Sequence, residues 1–351
     1  MDRLKRYHAV SQKLKSFSNS EIQNLISTSI PLHVGIDGKT FELTLDFQKI
    51  FVKKLPLSAL EILSENWMSP NNIFQLPLFC QYGLGAPGFG SWRELLSNQK
   101  STQWVLEGVC ENFTLLYHWC LLPVEQSGEF TVEEQEEIEK DVGFWENSDE
   151  LRERYKAIRR PITEVILFSE FVPINLKDWI KSQSAQISLF EKALDFVDQK
   201  ILTTIEFMQS RNFIHFDAHF ENIMTDGKTL YFSDLGLALD GRFLKQTEEI
   251  EFFNQHRNYD YARTAVGFVH ALITAVYGNE NWRINFFEQL KLIAENSAAF
   301  KGSETVHFYL KKYGPLAAEM LNFSDQLKSN SKRTPFPNEQ MERLVQQLYQ
   351  P

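Results

Sequence analysis

Two hydrophobic periods divide the chain. Over residues 3–25 apolar side chains recur at helical spacing (Leu4, Tyr7, Val10, Leu14, then Ile22 and Leu25), which predicts one or two amphipathic helices. The period then changes to two. Residues 32–36, 40–45 and 49–53 predict three consecutive strands, the first two joined by a turn at Asp37-Gly38-Lys39 with hairpin chemistry. The Gly/Pro-rich stretch 83–90 predicts irregular backbone, and a helix follows from Trp92. Residues 104–106 and 114–122 read as further strands, residues 131–160 as a charged and solvated helical insertion, and residues 164–173 as a buried apolar strand closing at Pro173. Beyond it helical spacing dominates. A short helix is expected over 176–181, then a long one capped by Ser188 with Phe190, Leu194, Val197, Ile201, Ile205 and Met208 on one face. Further helices run from Tyr259, with breaks near Gly278, Gly302 and Pro315.

Strands first and helices afterwards predict an α+β chain with segregated parts. The expected division is a helical extension over 1–30, a sheet-bearing part with insertions over 31–172, and a helical part over 173–351.

Composition narrows the partners. Hydrophobic residues at 43%, including 29 Phe, are enough to fill a core, so the chain reads as globular. A net charge of −10 argues against a nucleic-acid partner, which an excess of Lys and Arg would serve. Cys80, Cys110 and Cys120 stand in hydrophobic surroundings without C-x-x-C spacing and read as buried, reduced thiols. The basic N-terminus lacks signal-peptide features and no apolar run reaches membrane-spanning length. A cytoplasmic location is the expectation, with export or injection by a signal-independent route left open, as is oligomeric state.

The chemistry concentrates between Ile214 and Gly236. Strands at 223–225 and 229–233 flank an Asp226-Gly227 turn, and such a hairpin returns the chain to its start. It brings Asn222, before the first strand, near Asp234, after the second. A carboxylate and an amide oxygen converging in this way suit a hard cation such as Mg²⁺.

Asp217 precedes Asn222 by five positions, matching H-R-D-x-x-x-x-N, and Asp234-Leu235-Gly236 matches D-F-G. This segment resembles the catalytic core of the protein-kinase-like superfamily. With His219 two residues after Asp217, it is more similar to aminoglycoside phosphotransferases and atypical bacterial kinases than to ordinary kinases, which have Lys there. Phe216 stands in place of the usual Arg, which disfavours control by a phosphorylated activation loop. The resemblance implies a bilobal fold with an antiparallel sheet in the N-lobe and a mainly helical C-lobe. It also implies ATP and Mg²⁺, with Asp217 as catalytic carboxylate, Asn222 and Asp234 as metal ligands, and His219 bonding the γ-phosphate or Asp217. His215 is expected to pack beneath the loop and Asp260 to brace it.

Ile50-Phe51-Val52-Lys53 resembles V-A-I-K, whose lysine pairs with the nucleotide phosphates. Alternation sends Lys53 and Lys54 to opposite faces, and Lys53 is the chosen one. Its carboxylate partner is Glu94 or Glu61, with Glu94 preferred because it stands inside the expected helix after the Gly-rich stretch. Gly35, Gly38 and Thr40 occupy the place of the phosphate lid, which an ordinary hairpin turn also explains. Glu170 to Val172 resembles the hinge whose backbone bonds adenine.

The leading reading is a Ser/Thr protein kinase of atypical type. A small-molecule kinase of aminoglycoside or choline type, a pseudokinase binding module, and a metallohydrolase using His215, Asp217 and His219 stand beside it.

Overall fold

In the computed structural model, residues 2–35, 38–125, 128–295 and 302–349 are described. The chain divides into two compact units, one of residues 1–171 with 234–245, the other of residues 172–233 with 246–351. It is α+β, with an antiparallel sheet in the N-terminal part and a mainly helical C-terminal part.

The first unit opens with helices α1 (Arg3–Lys15) and α2 (Asn19–Ser27), the latter begun by a capping box between Ser18 and Glu21. Strands β1 (Ile30–Gly35), β2 (Gly38–Leu45) and β3 (Gln48–Leu57) follow, then helix α3 (Ser91–Leu106) and strand β4 (Leu116–Pro123). Helices α4 (Val132–Phe144) and α5 (Asp149–Arg159) precede strand β5 (Thr163–Glu170), and the sheet order is β1-β2-β3-β5-β4. Alternation sets the two faces of β3. Leu55 and Leu57 pack with Trp92 and Leu95 of α3, and Lys53, two residues before Leu55, shares their face. The Asp37 turn falls outside the described residues.

Several expectations need correction. Residues 104–106 are the last turn of α3, not a strand. No breaker occurs before Gly108, whose φ of 70° ends the helix while its N–H bonds the Val105 carbonyl. The insertion 131–160 is helical but not merely solvated. Ile138, Val142, Trp145, Leu151, Tyr155 and Ile158 are buried, because the charges of α4 and α5 other than Arg154 lie mainly on their outward faces. No disulfide joins the three cysteines among the described residues, and only Cys80 is buried; Cys110 and Cys120 are half-buried.

The second unit contains α6 (Leu176–Gln183), α7 (Ile187–Ser210), α8 (Thr247–Gln255), α9 (Tyr259–Tyr277), α10 (Trp282–Ala294), α11 (Glu304–Ser329) and α12 (Asn338–Gln347). A small antiparallel sheet of Ile174–Asn175, Ile223–Thr225 and Leu230–Phe232 accompanies them. Ser188 lies inside α7 rather than at its cap, which is Gln186. Pro315 does not break α11. Tyr313, stacked on Phe268 at 4.2 Å, and Leu316 are buried on either side of it, and this packing outweighs the ~3 kcal/mol that an interior proline costs. Among the described residues no helix is long and apolar enough to cross a membrane.

Candidate functional site

The first unit brings three of the expected residues together. Lys53 Nζ lies 2.8 Å from Glu94 Oε1 and 2.8 Å from Asp234 Oδ1. Lys53 and Glu94 are buried, whereas the Asp234 side chain is 46% exposed, so the ammonium has one dry anchor and one partner open to solvent. Lys54 points away, with its Nζ 3.5 Å from Glu164. The D-L-G glycine lies close against the ion pair: a Cβ on Gly236 would meet Glu94 Oε2 at 3.0 Å, a tight contact.

Glu61 has a different task. It is 1% exposed, accepts from Ser58 N and from Ser91 N at the start of α3, and pairs with Arg154 of α5 at 2.8 Å. A buried carboxylate at a helix N-terminus, held by a buried guanidinium, fixes the helix that carries Glu94. At the other end, Lys100 of α3 pairs with Asp240 at 2.6 Å, tying α3 to the segment after D-L-G.

The expected nucleotide-binding backbone is partly spent within the chain. Gly38 has a φ of 150°, and a Cβ there would come within 2.0 Å of the Lys54 carbonyl, so the close approach of β2 to β3 already demands glycine. Gly35 pairs with Gly38, and Thr40 Oγ1 donates to the His33 carbonyl at 3.3 Å. The Glu170 N–H donates to the Leu115 carbonyl, and its buried carboxylate is gripped by Arg3 and Arg6 of α1. Glu170 therefore has no amide hydrogen to offer adenine. Val172 is buried in the second unit.

In the second unit α7 ends and the chain reverses at Asn212 (φ 52°), leading into the Asp217 loop. Asp260, at the start of α9, accepts the His215 N–H through Oδ2 and the Phe216 N–H through Oδ1, each at 2.8 Å. Burial pushes the Asp260 carboxyl up, against the opposing effect of His215 and those two amides. Phe216 has φ 67°, a strained position for an aromatic residue, and its ring stacks on Tyr259 at 4.1 Å. His215 is wholly buried; its Nε2 meets the Ser233 carbonyl at 2.9 Å and its Nδ1 accepts from Asp217 N at 3.3 Å.

Asp217 is thus set on an over-determined turn. Its Oδ2 accepts from Asn222 Nδ2 at 3.0 Å, and the same Nδ2 reaches the Asp217 carbonyl at 3.1 Å. Both contacts are made by Nδ2, which leaves the side-chain Oδ1 as the Asn222 atom suited to a cation. His219 Nε2 lies 3.6 Å from Asp217 Oδ2, and Arg263 Nη2 lies 3.7 Å from Oδ1. The hairpin pairs Ile223 with Phe232, and Ser233 donates to the Asn222 carbonyl through its amide (2.9 Å) and hydroxyl (2.8 Å). Asp234 is the next residue in the chain and adopts a left-handed backbone, φ 56°.

Sequence reasoning missed Arg154, Lys100, Arg3 and Arg6, whose partners lie far along the chain and leave no local signal. Arg263 was within reach, being one helical turn from Asp260 on α9. Both His215 nitrogens are engaged, and among the described residues no three His, Cys, Asp or Glu side chains are grouped to hold a metal. No protein-family model and no curated protein matches this chain.

Proposed function

We propose that the chain is an ATP- and Mg²⁺-dependent phosphotransferase with a bilobal protein-kinase-like fold, acting on the hydroxyl of a protein Ser or Thr. The observation that carries this reading is the pairing of strand-borne Lys53 with helix-borne Glu94 and with Asp234 of D-L-G, 2.8 Å in each case.

In this reading the side-chain Oδ1 of Asn222 and the carboxylate of Asp234 would each offer a hard oxygen to Mg²⁺, and Lys53 would offer a buried cation to phosphate. Bound Mg²⁺ supplies charge neutralisation on the nucleotide phosphates. Lys53, oriented by Glu94, holds the phosphates in place, and Asp217 orients the acceptor hydroxyl and takes its proton at a carboxylate oxygen. Asn222 fixes the rotamer of Asp217 through the two bonds described above. His219 donates to a phosphoryl oxygen or to Asp217.

A binding module without transfer activity is the second reading. It is favoured by the internal use of the Glu170 amide and by the structural demand for Gly38, both of which remove expected nucleotide contacts. Consumption of ATP with and without Mg²⁺ separates the two, and calorimetric titration with ATP tests the site itself. The phosphotransferase reading expects Mg²⁺-dependent binding that weakens at least tenfold in Lys53→Met, about 1.4 kcal/mol. Identical isotherms for the two proteins would remove Lys53 from the site.

A further inference from the structure

A cavity of about 250 Å³ opens beside the Asp217 loop, lined within the second unit by Lys177, His219, Glu221, Arg263, His270 and Trp282 among others. Its floor is shaped by glycine. Phe220 lies so close to α9 that a Cβ on Gly267 would come within 2.5 Å of its ring. The wall carries two permanent cations, Lys177 and Arg263, and one carboxylate, Glu221, with the Asp217 carboxylate 3.7 Å from Arg263.

The Glu221 carboxylate is already satisfied. Glu221 Oε1 takes Lys177 Nζ at 2.6 Å, and this hydrogen bond holds the Glu221 carboxyl below its usual range. His270 bonds Asn279 Oδ1 at 3.0 Å, and its ring crosses that of Trp282 at 4.8 Å. Burial favours the neutral form of His270. Arg263 differs, because its contact with Asp217 at 3.7 Å is too long for a hydrogen bond. A planar guanidinium in that position suits a second, bidentate carboxylate. The reacting carboxylate and an anion-seeking fork therefore stand side by side, and a polycationic acceptor would meet Lys177 and Arg263 at close range.

We infer that this cavity is an acceptor subsite that takes the carboxylate of an acidic side chain a few residues from the phosphorylated hydroxyl. The inference rests on the phosphotransferase reading for what happens to that hydroxyl, but not for the recognition itself. The net charge of −10 does not forbid an acidic acceptor, since charges beyond about 8 Å are screened at physiological ionic strength and the cavity acts at contact.

The test uses the full chain and fluorescent Ser peptides flanked by Glu, Ala, Lys or phosphoserine, with binding read by anisotropy. The Glu peptide is expected to bind roughly tenfold tighter than the Ala peptide, and the Lys peptide weakest. Lys177→Glu, at the first turn of α6 where an acid is tolerated, frees Glu221 and should invert that order. Equal binding, a preference for Lys, or binding of phosphoserine without Glu overturns the assignment. The same peptides are then offered with labelled ATP and Mg²⁺. The binding order without any labelling defeats the phosphotransferase reading and leaves the subsite; labelling without the order defeats the subsite alone.

Discussion

Asp260→Asn tests how the Asp217 loop is held. The carboxylate uses one oxygen for the His215 amide and the other for the Phe216 amide, both at 2.8 Å, and is 2% exposed. Asparagine has nearly the same shape but supplies one acceptor and turns its NH₂ group against the second backbone N–H. Leaving a buried donor unsatisfied costs ~1–3 kcal/mol, and the surviving bond loses its charge assistance. Relief from burying a charge returns part of this. The net expectation is a loss of about 2 kcal/mol, which in a unit of this size lowers Tm by about 4–8 °C. The strain at Phe216 (φ 67°) adds a local signature, because without its amide bond the loop relaxes first. Urea denaturation followed by circular dichroism gives the stability change, and hydrogen exchange gives the protection of the two amides. An Asp260→Asn protein with the wild-type midpoint and unchanged protection at His215 and Phe216 would refute the brace.

His256 predicts a pH dependence. Burial lowers its pKa from 6.5 to about 4, among the rings of Phe216, Phe252 and Phe336. The folded value is depressed, so between pH 6.5 and about 4 the unfolded chain binds the extra proton and stability falls as pH falls. The ceiling is ~3 kcal/mol for this shift, and His256→Phe should flatten that part of the stability-pH curve; parallel curves would sink the idea. Arg154→Ala should cost ~3–5 kcal/mol in the first unit by stranding the Glu61 charge, whereas Arg154→Met combined with Glu61→Gln should cost less than the single change. Chemical denaturation of the three proteins checks the order, and a double variant worse than Arg154→Ala contradicts it.

Much of this architecture was legible because it is encoded locally. Alternation gave β3 its two faces, so Lys53 was separable from Lys54, and the Asp226-Gly227 hairpin was plain from two residues. Asp226 Oδ1 there accepts from Lys228 N and Thr229 N at 2.9 and 2.8 Å, and Gly227 takes φ 81°. The misreadings arose where tertiary packing overruled a local signal. Trp104 and Val105 look strand-like but are buried as the end of a helix already under way, and Pro315 is carried through by the aromatic packing of α11. The charged insertion hid its buried face because Arg154, buried on Glu61, counts as polar in any pattern of hydrophobic positions. The anchoring pairs Glu61–Arg154, Lys100–Asp240 and Arg3–Glu170 each close over more than 90 residues, a separation at which periodicity carries no information.

The most direct measurement is transfer of label from γ-labelled ATP by the purified full chain, with Mg²⁺ and with a cell lysate as source of acceptors, in wild type and in Asp217→Asn. Label should appear on Ser or Thr of protein, require Mg²⁺, and disappear in Asp217→Asn while that variant still binds nucleotide. Wild-type protein that neither binds nor consumes ATP, or an Asp217→Asn protein that transfers label at the wild-type rate, would contradict the account.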